Sequence, residues 1–139
     1  MDHASHAALM MAVTRYFDLM HEADVSTFDR IFRSTAQLHG LSKGQMRMLP
    51  ASEYKKLLAG GPSPKSKGAA REEQVLLVDF ASATQALVKV RVRVDTIVYV
   101  DYLSYHFLDG DWLISEGVPR RKRFCGSLSQ ASTTTGCPA

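Results

Sequence analysis

Cysteine is scarce. Only Cys125 and Cys137 occur among 139 residues, both in a Ser-, Thr- and Gly-rich stretch beyond the last patterned segment, so no disulfide framework holds the chain together. Long hydrophobic runs are missing too, and none approaches the roughly 20 apolar residues that a helix needs to cross a bilayer. His3, Ala4 and Ser5 lead into a helical pattern where a secretory leader would carry a basic segment and then an apolar one, so a cytoplasmic protein is expected. Net charge is small: 17 Lys and Arg against 14 Asp and Glu leave +3. Four of those cations form the single run Arg120, Arg121, Lys122 and Arg123, and the rest of the chain is close to neutral. That balance argues against nucleic acid as a partner, and the run, without interleaved aromatics, reads as a solvated segment. Metal-ligand spacing is also lacking. Asp2, His3 and His6 sit together at the N-terminus with no further ligands at the spacing of a structural zinc site, and no cofactor is implied.

What is present suffices for one core, since 45% of the residues are hydrophobic and the length suits a single domain. Leu9, Val13, Tyr16, Phe17 and Met20 recur at steps of three and four, which predicts an amphipathic helix over 7–22. Asp24 or Ser26 can cap a second, short helix that buries Phe28, Ile31 and Phe32 and ends near Arg33. Residues 36–39 and 45–48 are extended candidates around a Gly-containing turn. Pro50 then opens a third helix carrying Tyr54, Leu57 and Leu58, which stops at Gly60 and Gly61. The stretch GGPSPKSKGAA that follows is polar and rich in Pro and Gly, and is expected to be a mobile connection.

The C-terminal half changes period. Residues 74–81 form an apolar run. Ala86, Val88, Val90, Val92 and Val94 then alternate with Leu87, Lys89, Arg91 and Arg93, the period of a strand. Asp95-Thr96 and Asp109-Gly110 are turn pairs, so a third strand over 97–107 and a fourth over 111–118 complete an antiparallel meander. A two-residue loop at Asp109-Gly110 pairs Phe107 with Trp112, Tyr105 with Ile114, Leu103 with Glu116 and Asp101 with Val118. One face then carries Tyr99, Asp101, Leu103, Tyr105, Phe107, Trp112, Ile114 and Glu116. It is mostly aromatic and apolar, so the helices should cover it, with two carboxylates pointing into greasy surroundings.

Arg15-Tyr16-Phe17, Asp24-Val25, Ile31-Phe32 and Ala36, followed by Asp101-Tyr102-Leu103 and Asp109-Gly110-Asp111-Trp112, give the chain a pattern that resembles the NTF2-like superfamily, most closely its lumazine-binding or SnoaL-like branch. The resemblance covers about residues 6–118. It implies an α+β fold, a cone-shaped half-barrel with three N-terminal helices packed on a curved antiparallel sheet. It also implies a pocket at the open end and a homodimer built through the outer sheet face. Residues 1–119 would form that domain and 120–139 a basic, then Ser/Thr-rich tail expected to be disordered.

Among ketosteroid isomerases of this superfamily, a tyrosine equivalent to Tyr16 and an acid equivalent to Asp101 form an oxyanion hole. Their catalytic carboxylate, however, lies shortly after the position of Ala36, where this chain reads Gln37-Leu38-His39-Gly40. His39 is therefore the one candidate proton carrier there, against a plain reading as a surface histidine. Tyr16 is either a core tyrosine with one partner or a catalytic donor. Asp101 either lines the pocket, with a raised pKa, or holds a helix terminus. Phe32, Tyr54, Leu58, Tyr99, Leu103 and Trp112 complete the expected ligand-binding set, and Glu116 either joins it or reaches solvent. On the outer face, Val98, Val100, Tyr102, Leu87 and Leu113 lie among Lys89, Arg91, Arg93, Ser104 and His106, too many apolar groups for a solvated sheet. These residues support a binder of a small apolar or aromatic ligand. The alternatives are an isomerase or dehydratase using Tyr16 and Asp101 as oxyanion donors, and a dimeric scaffold without catalysis.

Overall fold

The computed structural model describes residues 3–123. Helix α1 spans His3–Glu22 and turns Leu9, Val13, Tyr16, Phe17 and Met20 inward, as the three-and-four spacing requires. Ala23, with φ 52°, ends it. The second helix is a single stretch of 3-10 helix, η1, over Val25–Arg30. Asp24 caps it, its Oδ1 accepting from the Ser26 amide at 3.1 Å and from the Ser26 hydroxyl at 2.6 Å. It ends earlier than expected because Ile31 and Phe32 are captured by the sheet: the Ile114 amide donates to the Ile31 carbonyl at 2.8 Å.

Strands β1 (Phe32–Ser42) and β2 (Gln45–Pro50) form a hairpin around Lys43 and Gly44, whose φ angles of 52° and 75° suit a two-residue turn. Helix α2, Ala51–Ala59, packs Tyr54 and Leu58 against the core, while Leu57 is 64% exposed and does not join the buried side. Strands β3 (Glu73–Ser82), β4 (Gln85–Val94), β5 (Ile97–Leu108) and β6 (Asp111–Arg123) follow as a meander. The strand order is β2-β1-β6-β5-β4-β3.

Two features depart from the expected sheet. It is mixed, because β1 pairs with β6 in parallel while the other neighbours are antiparallel. β1 reaches β6 by a long crossover and not through a hairpin, and a crossover leaves both strands pointing the same way. Register also slips within the β5–β6 hairpin. Tyr105 faces Ile114 as the turn predicts, but Ser104 faces Glu116, Leu103 faces Gly117 and Asp101 faces Pro119. Ser115 is the extra residue of a β-bulge. Glu116 and Val118 thereby swap to the outer face, and Gly117 takes the inward position, where an added Cβ would lie 3.7 Å from Leu38 and 3.9 Å from Leu103.

β6 also continues past 118. Arg120 to Arg123 pair along their backbone with Val100 to Ile97, so the basic run extends a strand. Cys125, Cys137 and the Ser/Thr-rich stretch lie outside the described residues. The helices cover the inner face, where Val88, Val90, Val92, Leu103, Tyr105 and Ile114 meet α1 and η1 in one core. No helix among the described residues is long and apolar enough to cross a membrane.

The connection from α2 to β3, expected to be mobile, is pinned at both ends. Pro64 is buried, the Lys65 amide donates to the His21 carbonyl at the end of α1, and Lys67 Nζ reaches Asp95 Oδ2 at 2.6 Å. Arg71 then bridges Asp18 of α1 at 2.7 Å and Glu73 of β3 at 2.9 Å, a double contact that holds its proton more tightly than usual. Local composition reads flexible because these anchors lie far away in sequence. Arg71→Ala should cost about 1 kcal/mol, the upper range for a partly exposed ion-pair network. For a domain of this size that lowers Tm by about 4 °C. Tryptic cleavage after Lys65 and Lys67 should speed up, and an unchanged cleavage rate would contradict the pinning.

Candidate functional site

The polar centre of the inner face is Asp101. It sits mid-way along β5, between Val90 of β4 and Pro119 of β6, and is 2% exposed. Strand alternation puts it on the covered side, and α1 brings Tyr16 onto it because Tyr16 belongs to the same buried stripe as Leu9, Ala12 and Val13. The Tyr16 hydroxyl donates to Asp101 Oδ2, and Oδ1 is buried with no hydrogen-bond partner among the described residues. A buried carboxylate with half its acceptors unused is costly. Burial raises the Asp101 carboxyl to about 6, with the Tyr16 bond pulling it back only in part. Burial, then the neighbouring Asp101 charge, lifts the Tyr16 hydroxyl well above its usual value.

Aromatic rings pack around this pair. Phe32 meets Tyr16 edge-on at 6.2 Å and Tyr54 edge-on at 5.8 Å, and stacks on Phe28 at 4.8 Å. Tyr54 comes from α2 and donates its hydroxyl to Met20 Sδ at 3.4 Å. Burial first, and then the charge of Asp101, raises its hydroxyl, and its contact with Phe32 sets α2 beside the same cluster. Tyr99, Tyr54, Leu58 and Leu38 are only partly buried, so they form the side of the cluster nearest solvent. Leu103 is enclosed one strand step beyond Asp101.

Several expected site residues go elsewhere. Trp112 lies on the inner face but pairs with Phe107, about 20 Å along the strand from Asp101 at the usual rise. There it contacts Phe80 at 5.9 Å and Phe107 at 5.4 Å. His39 and Glu116 are both on the outer face and pair with each other at 3.6 Å, away from Tyr16 and Asp101. For Glu116 the Ser115 bulge is the reason. His39 follows Leu38, which lies inside beside Gly117, so alternation turns His39 outward. Tyr105 is a further polar group of the inner face. It is 0% exposed, burial raises its hydroxyl, and that hydroxyl has no hydrogen-bond partner among the described residues. Its place two positions from Leu103 was legible from alternation, but nothing in the sequence showed that its hydroxyl would be left without a partner.

A surface depression of about 340 Å³ bordered by Met10, Met11, Thr14 and Arg15 lies on another flank of α1 and does not include the Tyr16–Asp101 pair. No cluster of three or more His, Cys, Asp or Glu among the described residues could hold a metal ion.

A family model described as "Putative lumazine-binding" matches residues 4–118. The chain belongs to that family. No curated protein matches this lumazine-binding-family chain. Solved structures do. An NTF2-like protein of unknown function from Silicibacter pomeroyi superposes with a TM-score of 0.77 at 20% identity, covering 88% of this chain and 100% of that one. One from Shewanella baltica gives 0.75 at 14% identity, covering 88% and 98%. A ketosteroid isomerase-like protein from Erwinia carotovora atroseptica gives 0.63 at 13% identity, covering 83% and 94%. At these identities the likeness establishes the NTF2-like fold: helices packed on a curved, unclosed, six-stranded mixed sheet.

The raised Asp101 carboxyl has a measurable consequence. A group that binds its proton more tightly when folded stabilises the native state most below its unfolded value of 3.8. That contribution is lost as pH rises to about 6 and then stays level. The swing is about 2 kcal/mol between pH 4 and pH 8. Asp101→Asn should keep an acceptor for Tyr16, remove this part of the pH dependence, and raise Tm at pH 8. Thermal denaturation across that range checks it, and an unchanged pH profile in the variant would count against a raised carboxyl.

Proposed function

We propose that this member of the lumazine-binding family is a small-molecule-binding protein of the cytoplasm. Its apolar or aromatic ligand sits between α1, α2 and the inner sheet face, with a polar atom against Asp101. The observation that carries this reading is the buried Oδ1 of Asp101, an acceptor without a partner among the described residues and set in an aromatic cluster. Protein interiors rarely leave such an atom unused unless something else completes it. Phe32, Tyr54, Leu58, Tyr99 and Leu103 supply the apolar wall, and the family description points to a heteroaromatic ligand.

The alternative, an isomerase or dehydratase, draws support from the ketosteroid isomerase-like neighbour and from the Tyr16–Asp101 pair. Its candidate base, His39, lies on the opposite face in contact with Glu116. The scaffold reading gains its support from the outer sheet face. Leu41, Met46, Met48, Tyr102 and Val118 are exposed there, 72% for Leu41 and 71% for Met46, and a homodimer would cover them.

Native mass spectrometry of the purified protein tests the leading reading. A compound retained by wild type and lost by Asp101→Ala is the expected result. Ligand-free wild type that also fails to bind lumazine or other small aromatics in titration would end it. For the homodimer, sedimentation should give a dimer at micromolar concentration, converted to monomer by Tyr102→Glu with Val118→Glu; a wild-type monomer would refute it.

A further inference from the structure

The hydrogen bond between Tyr16 and Asp101 has a direction, and that direction restricts what can bind. A phenol carries one proton, and Tyr16 gives it to Oδ2 of Asp101. Tyr16 therefore has none left for a ligand, in contrast to a site where a tyrosine and a protonated acid both point at one substrate oxygen. The other oxygen, Oδ1, is buried without a partner among the described residues and has only lone pairs to offer when the carboxyl is ionised.

Among the described side chains, no cation pairs with it. Tyr16 approaches from α1 and Tyr54 from α2, both neutral phenols, while Val90 of β4 and Pro119 of β6 hold the flanking register positions. No salt bridge among the described residues includes Asp101. Tyr54 spends its proton on Met20 Sδ at 3.4 Å. The polar atom presented to a guest is thus a lone acceptor carrying negative charge.

We infer, resting on the small-molecule reading above, that Asp101 makes the site selective for ligands presenting an N–H or O–H donor on an aromatic or apolar body. Ligands that offer only an oxygen acceptor, or that carry an anion, are rejected. A donor forms a charge-assisted bond with Oδ1, whereas an acceptor placed there leaves two sets of lone pairs opposed and unsatisfied. The same geometry withdraws Tyr16 from any role as an oxyanion donor for as long as it holds Asp101.

Three probes that share one ring system separate the possibilities: naphthol, which donates; methoxynaphthalene, which only accepts; and naphthoate, an anion. Titrated into the full chain at pH 8 and followed by fluorescence, naphthol should bind about tenfold more tightly than methoxynaphthalene, with naphthoate weakest. Asp101→Asn should abolish the naphthol preference and relieve the rejection of naphthoate, because its amide oxygen takes the Tyr16 proton and its NH₂ group, a donor that any of the three oxygens can accept from, replaces Oδ1. Tyr16→Phe leaves the acceptor in place and should keep the preference for naphthol. If Asp101→Asn does not fold, wild type titrated from pH 8 to pH 5 gives the same information, since the naphthol preference should shrink as the carboxylate takes up its proton. Equal binding of naphthol and methoxynaphthalene by wild type, or a naphthol preference that survives in Asp101→Asn, would overturn the inference while leaving small-molecule binding intact. Failure of every probe to bind, together with no compound retained in native mass spectrometry, would remove the small-molecule reading and this inference with it.

Discussion

One carboxylate buried in the middle of a sheet sets the terms for the rest of this molecule. Withdrawing an ionised group from water costs several kcal/mol, and a single hydrogen bond to it returns about 1.5–3 kcal/mol. The remainder must come from packing, at about 1.5–3 kcal/mol for each large apolar side chain fully buried. The ordered core around Asp101 supplies that packing: α1 contributes Leu9, Val13 and Phe17, the strands Val88, Val90 and Leu103, and η1 Phe28. The arrangement is also self-consistent. The stripe of α1 that packs on the sheet is the stripe that carries Tyr16, so docking the helix and satisfying the acid are one event.

Periodicity made much of this legible beforehand. The spacing of Leu9, Val13, Tyr16, Phe17 and Met20 specified α1, and the valines at even positions from 88 to 94 specified β4 and its buried face. Asp109-Gly110 fixed the last hairpin and its first register pairs, so Asp101 could be placed on the covered side from sequence alone. What escaped were consequences of distant contacts. Phe32 reads as the end of a helix until Ile114 pairs with it, and β1 reads as a local hairpin strand until β6 adds beside it in parallel. The Pro- and Gly-rich connection reads as mobile until Asp18, His21 and Asp95 are brought to it. Within the site, alternation located Tyr99, Asp101, Leu103 and Tyr105, and the Phe107–Trp112 pair already set Trp112 six residues along the strand from Asp101, but alternation could not show that His39 points away, because that depends on how β1 adds to β6.

The NTF2-like fold carries unrelated activities, so the fold restricts the function less than the chemistry of its interior does. In this chain that chemistry is narrow. Among the described residues, four tyrosines, the indole of Trp112 and one acid supply the polar groups of the inner-face cluster, and Tyr54 and Tyr99 are its partly buried tyrosines. Burial in these surroundings raises the Asp101 carboxyl to about 6, against the opposing pull of the Tyr16 hydrogen bond.

The extra residue at Ser115 divides β6 into two segments in opposite phase. Before it, even-numbered residues face the core; after it, odd-numbered ones do. Ser115 and Glu116 consequently both project outward, where the serine hydroxyl lies 2.6 Å from His106 Nδ1 and the glutamate meets His39. Without that phase change the strand would send an acid into the core beside Leu103 and a glycine to the surface. The bulge acts as a sorting device, separating the polar outer groups of one sheet face from the single acid retained on the other. A one-residue change in the length of this strand would therefore act on both faces of the sheet at once.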